Sequence, residues 1–152
     1  MLQAMQRLAK WLATALRRCM PELSPLVAGF HAVPSMRQLH LHLISLDFDS
    51  DALKNKKHFN SFTTDFLVPP WKWLESLERQ GAVMCSESAG AVEAKLKAEM
   101  RCPLTGNLLK NMPAVKAWLS SRSFADALQH AAACLDGCDL VTSSWPLYGR
   151  AA

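Results

Sequence analysis

The 152 residues are 50% apolar and 20% charged, enough for one domain with a real core and too few for two full ones. The composition excludes collagen-like, disordered and disulfide-dense classes, and no apolar run is long enough to cross a bilayer as a helix. Five irregularly spaced cysteines and no secretory signal point to reduced thiols in a nuclear, cytosolic or organellar compartment. The formal charge of +4 arises at one end: Arg7, Lys10, Arg17 and Arg18 lie within the first 21 residues, which hold no acid, and the other 13 basic residues balance 13 acidic ones. Bulk charge therefore says little about nucleic acid, and only local placement counts.

Residues 1–20 are predicted as an amphipathic helix. Leu2, Met5, Leu8, Leu12, Ala15, Leu16 and Cys19 recur at helical spacing, an apolar stripe suited to packing on a sheet. Pro21 suits its end. An organelle transit peptide is the alternative for this Arg-containing, acid-free segment.

Two strands follow. Leu26–Val33 is an apolar run that stops at Pro34. Gln38–Leu46 alternates, with Leu39, Leu41 and Leu43 on one side and Gln38, His40, His42 and Ile44 on the other, the pattern of a strand buried on its leucine face. A turn at Pro34–Arg37 makes the two an antiparallel pair.

Asp47–Thr64 is polar and is predicted as an ordered loop. Helical patterning resumes from Pro70 to near Gly81, and again over Glu87–Met100, where Glu93 and Lys97 have the supportive i, i+4 spacing. Pro113 suits the first turn of a short helix. The last helix is placed at Ser123, with Ser123 and Asp126 as a capping box and Gly137 as its C-cap. The final dozen residues show no pattern of an ordered element.

The alternating strand carries the chemistry. His40 and His42 lie two apart, so both imidazoles project from one face. One can attack phosphorus while the other donates a hydrogen bond to a phosphoryl oxygen. A histidine pair by itself is more often structural or metal-binding, and Lys54–Lys57 by itself is more often a solvated loop.

The stretch GFHAVPSMRQLHLHLISLDFDSDALKNKKHFNSF, Gly29 to Phe62, resembles the aprataxin branch of the histidine triad superfamily. It is most similar to plant and algal members, which carry Gln at the first triad position. The similarity continues weakly to about Leu119. The resemblance implies an α+β fold: a partial histidine-triad antiparallel sheet with packed helices and a helical C-terminal tail. Residues 1–100 would be the partial catalytic domain, 101–122 a degenerate zinc-finger-like segment, and 123–152 a C-terminal helix and tail.

The same resemblance implies an enzyme of nuclear DNA single-strand break repair that removes AMP from 5′-adenylated DNA ends left by abortive ligation. His40 stands at the position of the nucleophile that becomes nucleotidyl-histidine, and His42 at the phosphate-binding third position. Gln38 can orient but not shuttle protons. His31, Ser35, Gln38 and Lys57 would contact the phosphate or nucleotide; Lys54, Lys56, Lys57 and His58 would contact DNA. No cofactor and no membrane are implied.

Two departures from the family matter. Only about 28 residues precede Gly29, so the first strands that wall the nucleoside site are not recognisable, and an open sheet edge is expected. In Arg101–Arg122 only Cys102 survives as a zinc ligand. Thr105, Trp118 and Arg122 occupy the other ligand positions, and one ligand of four cannot hold tetrahedral zinc. Trp118 is instead expected to cluster with Leu108, Val115 and Leu119. A replacement site from Cys102, His130, Cys134 and Cys138 is a further alternative. Two functional alternatives remain: a hydrolase of small adenylates, and an inactive fragment that binds DNA ends or nucleotides weakly.

Overall fold

The computed structural model describes residues 1–34, 36–48, 50–83, 88–134, 140–141 and 145–147. The chain opens with helix α1 (Leu2–Cys19) and strands β1 (Leu26–His31) and β2 (His42–Ser45). Helix α2 (Lys56–Thr63), strand β3 (Leu67–Val68) and helices α3 (Pro70–Gln80) and α4 (Ala89–Lys97) follow. A short hairpin, β4 (Met100–Arg101) and β5 (Leu108–Leu109), leads to α5 (Met112–Leu119), α6 (Arg122–Cys134) and β6 (Leu140–Val141). This is the expected α+β class.

β1 is the centre of the main sheet. β2 lies antiparallel on one side, with Ala28 opposite Leu43 and Gly29 opposite His42. On the other side β6 runs parallel to the start of β1 and β3 antiparallel to its end. Gly29 is required here: a Cβ would stand 2.5 Å from Leu67 Cγ and 3.1 Å from the Val68 carbonyl oxygen, which only glycine avoids.

The two faces of the sheet bury different things. On one, Leu26 and Ala28 pack with Leu140 against Ala9 and Ala13 of α1, with Leu41 and Leu43 at the margin. Phe30 stacks on Trp73 of α3, ring centroids 4.4 Å apart. On the other, Val27 joins a larger cluster that gathers Leu46, Phe48, Phe59, Met100, Cys102, Leu109, Val115, Phe124, Val141 and Trp145. That cluster draws on all three expected segments.

Several expectations need correction. The stripe of α1 that meets the sheet is Leu2, Ala9 and Ala13, while Leu8, Leu12 and Leu16 are exposed. Small alanines let a helix backbone sit close to a sheet, a feature that hydropathy does not capture. The triad strand is regular only over His42–Ser45. Its leucine face is half-covered, with Leu39 exposed. The polar stretch expected as a loop contains α2, whose N-cap Asn55 accepts from the His58 N–H at 2.8 Å and which buries Phe59. The last helix is capped by Ser121, whose Oγ accepts from the Phe124 N–H at 3.2 Å, not by Ser123. Near the C-terminus Leu140, Val141 and Trp145 join the core, and the Trp145 indole N–H donates to the Phe62 carbonyl at 2.9 Å. Gly137, the expected C-cap, lies outside the described residues. α3 and α5 match expectation, and α4 ends on the expected Lys97–Glu93 ion pair at 3.0 Å.

Candidate active site

The antiparallel register puts Val27, Gly29 and His31 of β1 on the same face as His42 and Ile44 of β2. His40, two residues before His42, keeps the same side, and the two rings lie 4.9 Å apart, edge to face. His31 and His42 are closer, at 4.2 Å. α2 closes the group from above. Its Phe62 ring contacts His31, His42 and His58, with centroids 5.1, 5.2 and 5.0 Å away. Phe66 flanks His31 at 5.1 Å. The four histidines thus form one cluster on an aromatic floor.

Hydrogen bonding orients two of them. The Nδ1 of His40 lies 2.9 Å from the Gln38 carbonyl oxygen. A carbonyl only accepts, so Nδ1 carries the proton and Nε2 keeps its lone pair. Gln38 therefore acts through its main chain, and its side chain is exposed. His58 is set in the same way by the Ala52 carbonyl at 2.9 Å. The other two have buried Nε2 atoms with no partner among the described residues, polar atoms that a ligand could satisfy.

Two rings of the cluster, His31 and His42, stay uncharged near neutrality. Burial pulls the His31 pKa down from 6.5 to about 4, helped by His42, His40 and His58. Burial also lowers His42, with His40 and His58 adding to the effect. Charging either ring would mean desolvating a cation among other imidazoles.

Beside this cluster lies a cavity of about 620 Å³, lined among others by His31, Lys57, His58, Asn55, Ser61 and Glu93. α4 reaches it because buried Asn60 of α2 donates to the carbonyls of Leu96 and Ala98, at 3.2 and 2.8 Å. These are the end carbonyls of α4, which the helix itself leaves unpaired. A small cleft of about 90 Å³ on the other side is formed by Gln38, His40, Arg37, Phe30 and Trp73, among others.

The structure brings together His31, His40, His42, His58 and, through the cavity, Lys57. Lys54 and Lys56 are exposed and outside the cavity lining, so the basic run does not act as one patch. Ser35 lies outside the described residues. Phe62, Phe66 and Glu93 were not anticipated as site residues. Phe62 is the last residue of the strongest stretch of the resemblance, and only three-dimensional packing brings it against the histidines.

The finger-like segment has different contents. Cys102 is buried in the large apolar cluster with Leu109, Val115 and Phe124, and Trp118 packs against it. The Trp118 and Phe124 rings meet edge to face at 6.5 Å. Leu108, expected in this cluster, is exposed and Leu109 takes its place. Arg122 is exposed. One buried thiol among apolar side chains does not fit zinc. His130 and Cys134 contact each other at 3.7 Å on the exposed side of α6, away from buried Cys102, and Cys138 lies outside the described residues. Among the described residues no group of three or more His, Cys, Asp or Glu is placed to hold a metal ion, and no helix is long and apolar enough to cross a membrane.

Residues 1–58 match a family model described as scavenger mRNA decapping enzyme C-term binding. Aprataxin of Danio rerio is 46% identical over 93 residues, 61% of this chain and 28% of that protein. A protein of Arabidopsis thaliana described as transcription factor bHLH140 is 48% identical over 93 residues, 61% of this chain and 10% of that protein. The chain thus matches less than a third of the length of these curated relatives. Among solved structures, the aprataxin ortholog Hnt3 in complex with DNA superposes with a TM-score of 0.57 at 26% identity, covering 84% of this chain and 62% of that one.

Proposed function

We propose that this chain, an aprataxin-like member of the histidine triad superfamily, hydrolyses 5′-adenylated DNA ends by transfer of AMP to His40. The observation that supports this most is the His40 ring itself. The Gln38 carbonyl holds its Nδ1 proton, so the free Nε2 lone pair is the nucleophile, adjacent to a neutral His42.

In the first step His40 Nε2 attacks the phosphorus of the adenylate. The phosphoanhydride bond to the DNA 5′-phosphate breaks, and that phosphate leaves with its electron pair. A phosphate is a good leaving group without a proton, so the lack of a titratable side chain at Gln38 does not block the step. Water then attacks the nucleotidyl-histidine, releasing AMP and restoring His40. His42 and His31 supply hydrogen bonds to the phosphoryl oxygens, and Lys57 supplies positive charge from the cavity side. Nuclear DNA repair is the setting this activity fits.

The test is a nicked duplex with a 5′-adenylate, with AMP release followed over time. Wild type should release AMP and form an acid-labile covalent adduct. His40→Ala should lose at least about a thousandfold of the rate and all of the adduct. Full activity in His40→Ala, or no turnover by wild type, would sink the proposal. A free dinucleoside polyphosphate in a parallel reaction separates DNA-directed hydrolysis from action on small adenylates.

A further inference from the structure

The cavity beside the histidines has a direction. His31 lines it, whereas His40 and His42 do not. His40 stands 4.9 Å from His42, and His42 stands 4.2 Å from His31, so the rings step from the nucleophile toward the cavity. In-line displacement at phosphorus expels the leaving group on the side away from the attacking atom. For attack by His40 that is the His31 side. The Nε2 of His31 is buried with no partner among the described residues, a polar atom that a departing phosphate would satisfy.

The walls are set by the packing of α2 on α4. Asn60 ties the two helices by donating to the Leu96 and Ala98 carbonyls. Phe66, Val92 and Leu96 give the cavity an apolar floor, and the Phe66 ring lies 5.1 Å from His31. No lining residue comes from α1 or β2. At about 620 Å³ the space falls among sites that take a small molecule, about 300–1,000 Å³.

Charge selects the occupant. Lys57 lines the cavity from α2 and Glu93 from α4. Glu93 pairs with Lys97 at 3.0 Å. That hydrogen bond is the first cause holding its carboxyl below the usual range, with Lys57 a lesser one, so Glu93 is an anion at neutral pH. A phosphate is drawn to Lys57 and repelled by Glu93, which leaves the far part of the cavity to an uncharged group. A nucleobase meets both conditions. It buries a flat apolar body on Phe66 and Val92, and its N–H groups donate to Glu93. At a broken strand the terminal base has one stacking partner fewer than an internal base, so drawing it from the duplex costs less.

We propose that the cavity between α2 and α4 binds the nucleoside joined to the leaving phosphate, taking the 5′-terminal base of the adenylated strand out of the duplex. The phosphate lies between His31 and Lys57. The base lies on Phe66 and Val92 with its N–H edge toward Glu93. This assignment rests on the adenylate-hydrolysis reading and extends it to the leaving side.

The test compares two nicked duplexes with the same 5′-adenylate, one with a purine at the 5′-terminal position and one with an abasic tetrahydrofuran residue there. Removing the base should lower kcat/KM at least about tenfold. Ala89→Trp and Val33→Trp each fill the cavity from an exposed wall residue, and each should shrink the ratio between the two ends to within about twofold of one. Binding is read separately, with 2-aminopurine as the 5′-terminal base and His40→Ala holding the substrate intact. The fluorescence should change several-fold on binding, and change little when the probe sits one position further in. Equal rates on the two ends, or a ratio that stays or grows in both variants, would overturn the proposal. So would a fluorescence response that is absent or equal at the two positions. No turnover of either end by wild type would refute the hydrolytic reading alone, and the fluorescence would then decide whether the cavity takes a base.

Discussion

The histidine cluster and the finger-like segment both hold residues expected to bind a ligand, and they differ in what their side chains touch. At the cluster, polar atoms are buried without all of their partners. His40 and His58 are each oriented by a carbonyl, and His31 and His42 keep unsatisfied Nε2 atoms. In the finger-like segment two of the four expected ligand positions, Cys102 and Trp118, are packing, and the other two, Thr105 and Arg122, are exposed. Cys102 and Trp118 sit with Val115 and Phe124 in a shared apolar cluster. A buried polar atom without a partner is costly, and a ligand at the cluster would relieve that cost. A buried thiol among leucines marks only a core.

This difference predicts opposite responses to substitution. His40→Ala should remove activity and leave the melting transition nearly unchanged, because the ring is half-exposed. Phe124→Ala should do the reverse. Phe124 is 2% exposed and holds α6 to α5, so its loss should cost about 3–5 kcal/mol of stability. Thermal melting with and without a zinc chelator sharpens the point. The chelator should shift neither protein, since Cys102 lies in an apolar cluster. A chelator-sensitive transition abolished by Cys102→Ser would erase the distinction between the two regions.

Much of the site was legible in the sequence. Alternation alone placed His40 and His42 on one face, and that face is where the structure has them. The sequence pattern failed where size or distance decided. In α1 the helical period was right, but the covered side is set by the small Ala9 and Ala13 rather than by the leucines. α2 was hidden because its buried residues include Asn60 and Thr63, polar side chains that hydrogen-bond main-chain carbonyls. Trp145 and Phe62, 83 residues apart in the chain, could not be paired by any local signal. For the same reason Phe62 and Glu93 were missing from the expected site.

A smaller effect should appear in the pH dependence of stability. The His31 pKa in the folded chain is about 4, below its ordinary 6.5, and His42 is lowered in the same direction. Above pH 6.5 both folded and unfolded states are neutral at these rings, so they add no pH dependence. As pH falls below 6.5 the unfolded chain takes up protons first, and stability declines until about pH 4, where folded His31 also titrates. Urea denaturation across this window should show the decline, and His31→Gln should flatten it. An equal decline in the variant would assign it to other groups.

The smallest effects separate the lysines, and they test whether the basic run belongs with the histidines or with the solvated surface. Lys57 lines the cavity beside His31 and His58, whereas Lys54 and Lys56 do not. Glu93 lines the same cavity, and Lys57 is among the charges that lower its pKa, after its own partner Lys97. Lys57 is therefore already near a carboxylate and can exchange it for a phosphate, at some cost in net attraction. Lys57→Ala should weaken binding to a nicked duplex several-fold and reduce the slope of log affinity against log salt by about one. Lys54→Ala and Lys56→Ala should each do less, because an exposed lysine at a distance from the phosphate is screened. None of the three should alter preference among base sequences, since phosphate contacts position a duplex without reading it. The measurement is fluorescence anisotropy at a series of salt concentrations. Equal slopes for all three variants would place Lys57 with the solvated surface and leave the histidine cluster without a cationic wall.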